Sequence, residues 1–495
     1  MRDADPRVFI EPSILAKKNF WIWIALIALL AFALRSYDIS NRPFHNDEAV
    51  NFFFIQQTEA KGYFPYSHQN YHGPSYFYLT KVFTDIFGFS DYSMRFSAIL
   101  CGMLLIPLLL IKRREEGDLS IILASLFTAI SSSLVFYSRY AIHESLFLLV
   151  SSSLAFLLFE WTINKNVKAI FLGAISLALL VATKETFIIS LFCLGLAYLS
   201  LGNIVGHLKL FVKHRHLIFA ALSISIVMIV AFFTGGFKWF DGLYEMVLAV
   251  PQWVGRNDAD YGHHKPFWYY SKIILAAEPQ LLFSLICPLL LLIVYDLKFI
   301  RELRTREALW IRFVSVWGFA GWLVYSFVKY KTPWLIINFT FPLTIASAWW
   351  LALFIRKAEK FFKTGMLFII VALVFGGWST FHYVFEKPYG PGNPYSYVHT
   401  NPGFLEMMDL IKEYRSKYPS AKILVAQTGY WPFPYYIREY ANNVAYIGTK
   451  EPERFADEYD VIILDHTVKW DPAGFAKRYF RTSDVGEAHI FFKRR

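Results

Sequence analysis

Runs of about 15 to 20 apolar residues, each bounded by charge, recur between residues 20 and 381 of this 495-residue chain. No other feature constrains the fold as strongly. A helix needs about 20 such residues to cross a hydrocarbon core of ~30 Å, so the expected class is a polytopic α-helical membrane protein. With 56% hydrophobic, 19% aromatic and 18% charged residues, the chain is too apolar for a soluble protein of this length. The net charge of +11 lies in short clusters between apolar runs, which argues against nucleic acid as a partner. Cys101, Cys193 and Cys287 all fall inside apolar runs and give neither a disulfide framework nor a metal motif.

About eleven spans are expected, near 20–36, 96–111, 119–136, 145–161, 168–183, 186–202, 217–234, 279–296, 310–328, 332–355 and 364–382. One helix from 168 to 202 would be about 50 Å long, so the fifth and sixth spans are separate, with Lys184-Glu185 at the break. The first run ends Ala31-Phe32-Ala33 behind Lys17 and Lys18, which mimics a cleavage signal. With so many spans behind it, it reads as an uncleaved first span.

Basic residues set the orientation. Lys17-Lys18, Lys112-Arg113-Arg114, Lys165 with Lys168, and the clusters in 209–215, 298–312 and 356–363 fall on one side, read as the cytoplasm. The N-terminus is then cytoplasmic, in a multi-pass protein of the cell (inner, cytoplasmic) membrane. Connections 42–78, 137–144, Lys184-Glu185, 235–270 and 329–333 fall outside and hold the carboxylates, histidines and aromatic-proline runs. Residues 1–385 form the membrane domain, with 37–95 as its first outer loop. From 386 the pattern changes to short β-rich runs at 423–426, 444–447, 461–464 and 489–492, alternating with helix-like runs at 403–418 and 452–458. That predicts a small extracytosolic α/β domain, 386–495, behind a turn-rich linker at 387–394.

The outer connections carry the candidate chemistry. Asp47-Glu48 reads either as a solvated pair or helix cap with Asn46, or as a general base able to take a proton from a hydroxyl. His72 in His72-Gly73-Pro74 is a turn residue, or else orients a carboxylate or binds metal. Arg139 and His143 of SRYAIHE are four apart and would share a helix face. Arg139 is structural with Glu144, or binds phosphate with His143 and Glu144 near the leaving group. Lys184 and Glu185 interrupt an apolar stretch, where ionisable groups usually face a cavity. Asp258, Asp260, His263, His264 and Lys265 precede the aromatic run PFWYY; adjacent histidines point apart, so a shared metal is not implied. Lys331 of KYKTP is a second phosphate cation or a snorkelling anchor. Trp431 lies in the aromatic stretch YWPFPYY that follows the strand-like run at 423–426.

These motifs resemble those of the GT-C glycosyltransferases: an acidic pair after span one, a His/Pro step before span two, SRxxxHE before span four, the lone Lys in TKE and PFWYY before a later span. The nearest resemblance is to protein O-mannosyltransferases and aminoarabinose transferases of lipid A. HNDEA, YHGPSYFY and the YWPFPYY tail more closely resemble the prokaryotic flippase-activity-associated proteins. The resemblance implies transfer of a sugar from a polyprenyl-phosphate donor to a glycan, lipid or protein acceptor at the outer face, among membrane lipids. It implies Asp47 as the base, with Glu48 completing the acidic pair. His72, Arg139, His143, Glu144, Lys184, Glu185 and Lys331 would serve the donor phosphate, and His263, His264 and Trp431 the acceptor. A divalent metal is left open, with Glu48, His72 and His263 as its candidate ligands. The chain has His-Gly-Pro where related enzymes have Lys-Pro-Pro or His-Pro-Pro, so no lysine stands at position 73. The alternative is a non-enzymatic lipid-linked sugar flippase or its partner. A transporter places polar groups near mid-membrane and on both sides; here they crowd one.

Overall fold

The computed structural model describes residues 17–494 apart from 71, 256–261, 283, 285–305, 358, 428, 449, 450 and 485. Asp258, Asp260, Cys287 and most of the expected span at 279–296 lie outside the described residues. Elsewhere the apolar runs are helices: α1 (Lys17–Ser36), α4 (Asp91–Leu110), α6 (Asp118–Ile130) with α7 (Ser132–Ser138), α8 (Glu144–Thr162), α9 (Lys168–Val181), α10 (Phe187–Ser200) and α11 (Ile204–Phe233). Helices α5 (Arg113–Glu116), α12 (Asp241–Gly255) and α13 (Tyr269–Ala277) lie between or after them, and further on come α14 (Arg306–Phe327), α15 (Ile337–Lys357) and α16 (Glu359–Phe381). Among the described residues seven helices are long and apolar enough to cross a membrane, or eight if α6 and α7, bent by 57°, are one span. At 14 residues each, α9 and α10 are about 21 Å long and fall short of the core thickness. Residues 337–352 of α15 are all buried, whereas α1 and α11 leave Trp21, Leu29, Phe219 and Ile226 exposed, as suits lipid.

The stretch 37–95 is not the loop its polarity suggests. Between α1 and α4 it forms two helices, α2 (Asn46–Lys61) and α3 (Ser75–Phe87). A capping box starts α2: the Asp47 N–H donates to His45 Nδ1 at 3.0 Å and Glu48 accepts the His45 N–H at 3.0 Å. Gly62, at φ +73°, ends it by donating to Thr58 O. Residues 139–143 are also non-helical, since α8 begins only at Glu144. Arg139 and His143 therefore do not share a helix face.

The tail holds a mixed five-stranded sheet of order β2-β1-β3-β5-β4, from β1 (Ile423–Ala426), β2 (Val444–Tyr446), β3 (Val461–Asp465), β4 (Phe475–Arg481) and β5 (Glu487–Lys493). Its β1 pairs in parallel with β2 and β3, and β5 is antiparallel to β3 and β4. The helix α17 (Pro402–Lys417) lays Phe404, Met407, Met408 and Ile411 on Ile423, Val425 and Ile463 of one face. No apolar run marks β4, because Lys477, Arg478 and Arg481 within it are charged and exposed.

The tail is clasped to the membrane domain through α2. A short helix, α18 (Phe433–Tyr436), stacks Tyr435 on Phe44 at 3.9 Å and 5°, and Tyr435 OH donates to Asp91 at 2.6 Å. The Phe44 N–H donates to Tyr436 OH, and Thr400 Oγ1 donates to Phe44 O. The turn-rich linker thus continues into a strap that crosses the N-terminus of α2.

Candidate functional site

Three groups of polar residues gather around the segment 139–144, which threads between them. The first is a knot of buried charge. Glu48 is fully buried, and Arg95 Nε and Nη2 donate to its two oxygens at 2.7 and 2.8 Å. The N–H groups of His45 and Ala141 complete its shell at 3.0 and 2.8 Å. Burial alone would raise the Glu48 pKa; the Arg95 guanidinium outweighs it, and the net shift is downward. Every acceptor on Glu48 is thereby occupied. Arg139 is likewise spent on structure. Its Nη1 donates to Tyr37 O at 2.5 Å and to Leu34 O at 3.3 Å, and its Nη2 to Asp38 O at 2.6 Å. These are the open carbonyls at and after the C-terminus of α1, where a cation is favoured. Glu144 is not its partner.

The second group surrounds Asp47, whose side chain is 49% exposed where that of Glu48 is 0%. No hydrogen bond reaches the Asp47 carboxylate among the described residues; His45 Nδ1 is its nearest cationic-type neighbour at 3.8 Å. Because Nδ1 of His45 accepts the Asp47 N–H, its Nε2 carries the proton and donates to Tyr397 O at 2.8 Å. The His45 ring lies 4.7 Å from His399, 5.3 Å from Tyr140 and 6.3 Å from Trp334. Burial first, and then the Asp47 charge, raise the pKa of the Tyr397 hydroxyl. His45, Tyr140, Trp334, Tyr397 and His399 carry no functional reading in the sequence alone. The one usable signal is a polar-aromatic stretch, YSYVHT, directly after the linker rich in Pro and Gly.

The third group lies on the far side of the segment. Lys184 pairs with Glu144, both buried, and His72 Nδ1 lies 3.2 Å from Glu185. The His143 ring sits 4.8 Å from His72 and 4.6 Å from Tyr76; among the described residues neither of its nitrogens has a partner in standard hydrogen-bond geometry, although the Gly73 backbone interacts with the ring. The His-Gly-Pro step and the Thr-Lys-Glu break dock like two strands: Gly73 N–H donates to Thr183 O at 3.1 Å and Ser75 N–H to Ala182 O at 3.0 Å. A Cβ on Gly73 would lie 2.2 Å from Ala182 O, so only glycine fits. Tyr140 and His143 of the one segment thus face the second and third groups respectively.

The remaining expected residues lie apart from Lys184. Lys331 Nζ donates to Lys265 O at 3.0 Å and to Val328 O, closing the end of α14. His264 pairs antiparallel with Tyr330, and His263 Nδ1 is 2.8 Å from Tyr397 OH. Trp431 packs on Phe53 of α2 at 6.0 Å rather than beside His263. The metal candidates do not form one ligand set: Glu48 is held by Arg95, His72 by Glu185, His263 by Tyr397. Among the described residues no three His, Cys, Asp or Glu are placed to share an ion.

Residues 71–233 match the family described as dolichyl-phosphate-mannose-protein mannosyltransferase. No match to a curated protein is found. The whole chain is similar in structure to ArnT from Cupriavidus metallidurans bound to undecaprenyl phosphate, at 12% identity, TM-score 0.59, with 96% of this chain and 98% of that chain covered. The chain has the GT-C fold. The chain is also similar to the oligosaccharyltransferase AglB from Archaeoglobus fulgidus in complex with an inhibitory peptide and a dolichol-phosphate. There the identity is 12% and the TM-score 0.54, with 92% of this chain and 70% of that chain covered. The spans and the fold make it a multi-pass membrane protein.

Proposed function

We propose that this protein is an inverting glycosyltransferase that moves a sugar from a polyprenyl-phosphate donor to an acceptor at the outer face of the membrane. The observation that carries the reading is the half-exposed, unpaired carboxylate of Asp47. It stands beside a segment whose other side meets the buried Lys184 and His143. Relatives in fold carry undecaprenyl phosphate and dolichol-phosphate, which supports a lipid-phosphate donor.

In this reading Asp47 takes the proton of the acceptor hydroxyl as its oxygen attacks the anomeric carbon. The bond from that carbon to the phosphate oxygen breaks, and its electron pair leaves with the lipid phosphate. The growing charge is met by Lys184, which keeps two ammonium protons beyond its bond to Glu144. With glycine required at 73, the lysine on the facing loop supplies the cation. One displacement inverts the anomeric centre. Glu48 and Arg139 position this machinery rather than touch substrate. The tail and its linker contribute the acceptor side, with Trp431 at its edge. The narrower likeness to flippase-activity-associated proteins belongs to the same reading, as do the cytoplasmic N-terminus and outer tail in the cell membrane.

The test uses purified full-length protein with a panel of polyprenyl-phosphate sugars, following donor consumption and product anomer. Net retention of configuration would remove the single displacement. Lipid movement across vesicles without donor consumption would favour a flippase. A reporter fused behind Arg495 that is active only in cytosol is expected to be silent; activity there would put the site on the wrong side.

A further inference from the structure

The strap supplies one wall of the Asp47 group, and that wall has the character of a ligand surface. Tyr395 OH donates to the buried Glu278 at 2.9 Å, Tyr397 O accepts from His45, and Thr400 Oγ1 donates to Phe44 O. Tyr397 between these anchors is held in place. Its ring meets Trp334 edge-on, at 5.9 Å and 78°. Its hydroxyl bonds His263, whose own ring lies 4.5 Å from Tyr330. Trp334, Tyr397, His263 and Tyr330 are all partly exposed, whereas Tyr140 and His399 behind them are fully buried. The Trp334 indole N–H makes no hydrogen bond among the described residues, although aromatic N–H groups in such half-buried positions usually find one.

Two aromatic faces set at right angles, an unspent N–H and a neighbouring imidazole suit a particular chemistry. The C–H face of a pyranose covers an aromatic ring, and its rim of hydroxyls takes up the indole N–H. An alkyl chain would leave that N–H unpaired. The lipid phosphate has its cation elsewhere, at Lys184, on the other side of the 139–144 segment. What approaches Asp47 from the strap is therefore the hydroxyl partner.

We propose that Trp334, Tyr397 and His263 form the acceptor subsite of this protein and that the acceptor is a carbohydrate, a sugar ring laid on Trp334 and Tyr397 with one hydroxyl toward Asp47. This rests on the transferase reading for the word acceptor, but not for the binding itself.

The experiment is saturation-transfer NMR on the full chain in lipid nanodiscs. The probes are the methyl glycosides of glucose, galactose, mannose and N-acetylglucosamine, beside acetylated tripeptide amides centred on Ser, Thr or Asn. At least one glycoside is expected to receive saturation from the protein. Trp334→Leu should weaken that contact about tenfold, and Trp334→Phe should restore most of it. Tyr397→Phe, which keeps the ring and removes the hydroxyl bonded to His263, should weaken it about threefold. If Trp334→Leu does not fold, the two phenylalanine variants carry the test alone: Tyr397→Phe must still show its loss. Contact with the peptides and no glycoside, no contact with any probe, or glycoside contact indifferent to both positions would each overturn the proposal. Donor consumption, followed separately with a polyprenyl-phosphate hexose, judges the transferase reading. Trp334-dependent glycoside contact without donor consumption would remove the reaction and leave a sugar site. Donor consumption with contact indifferent to Trp334 would do the reverse.

Discussion

Asp47 and Glu48 are neighbours on the first turn of one helix and have opposite surroundings. Glu48 is enclosed with a bidentate arginine and two backbone donors. Asp47 is half in solvent with an unpaired carboxylate. In spent bonding capacity, though not in exposure, Arg139, whose guanidinium is shared among backbone carbonyls, differs likewise from the buried Lys184, which has one partner among the described residues. A buried charge whose bonding capacity is filled holds a fold together, because removing either member leaves the other unpaired in low dielectric. A charge with capacity left over beside an opening is the one available for chemistry.

The contrast can be broken by experiment. Glu48→Ala and Arg95→Ala should each cost about 3 to 5 kcal/mol of stability, the penalty for stranding a buried charge, read as lost yield and lowered melting temperature in detergent. Melting points near that of the parent chain would show that the knot is not structural. Its pH dependence has a fixed sign. The folded pKa of Glu48 is depressed, so its stabilisation is full above the unfolded value of about 4.3 and drains away as pH falls through the folded value. Glu48→Gln should flatten that acid limb as well as lower the plateau. In transfer, Glu48→Gln should be milder than Asp47→Asn, with a folding cost besides.

Asp47→Asn should do the opposite: melting within about 0.5 kcal/mol of the parent, and single-turnover transfer down at least about a hundredfold. Near-normal transfer would remove Asp47 as the base, and loss of donor binding would make it a binding group. Gly73→Ala places a methyl group against the Ala182 carbonyl and should cost about 1 to 3 kcal/mol. Its effect on transfer should exceed that of a similar loss elsewhere, because the strain moves the loop that carries Lys184; equal losses would separate that loop from the chemistry. The smallest change is Tyr435→Phe, which removes one bond to Asp91. About 1 kcal/mol of tail docking is expected to go, seen as faster proteolysis at the linker with the membrane domain intact.

Much of the architecture was legible beforehand. Helices cover the expected spans wherever residues are described, and β1 occupies 423–426. The break at Lys184 and the His-Gly-Pro step are both in the third group. What misled was polarity taken as a sign of loops: 37–95 reads as a loop and folds as α2 and α3, because their buried polar residues are matched by partners the local sequence does not contain. Arg95, at the edge of an apolar run, was the available clue, since a charge there calls for a partner.

The sequence by itself determined the membrane class, the places of the apolar helices and the concentration of reactive side chains in alternate connections. Hydropathy and periodicity act over a few residues, so a single stretch reports them. Only the tertiary structure decided which of two adjacent carboxylates is spent, why position 73 admits no side chain, and that the strap behind the linker lines the candidate site. Those outcomes depend on pairings across the chain: Glu48 with Arg95 over 47 positions, His45 with Tyr397 over 352, and Phe44 with Tyr436 over 392. Hydrogen-bond capacity is filled by whichever group the fold brings within 3 Å or so, and nothing in the local pattern names that group.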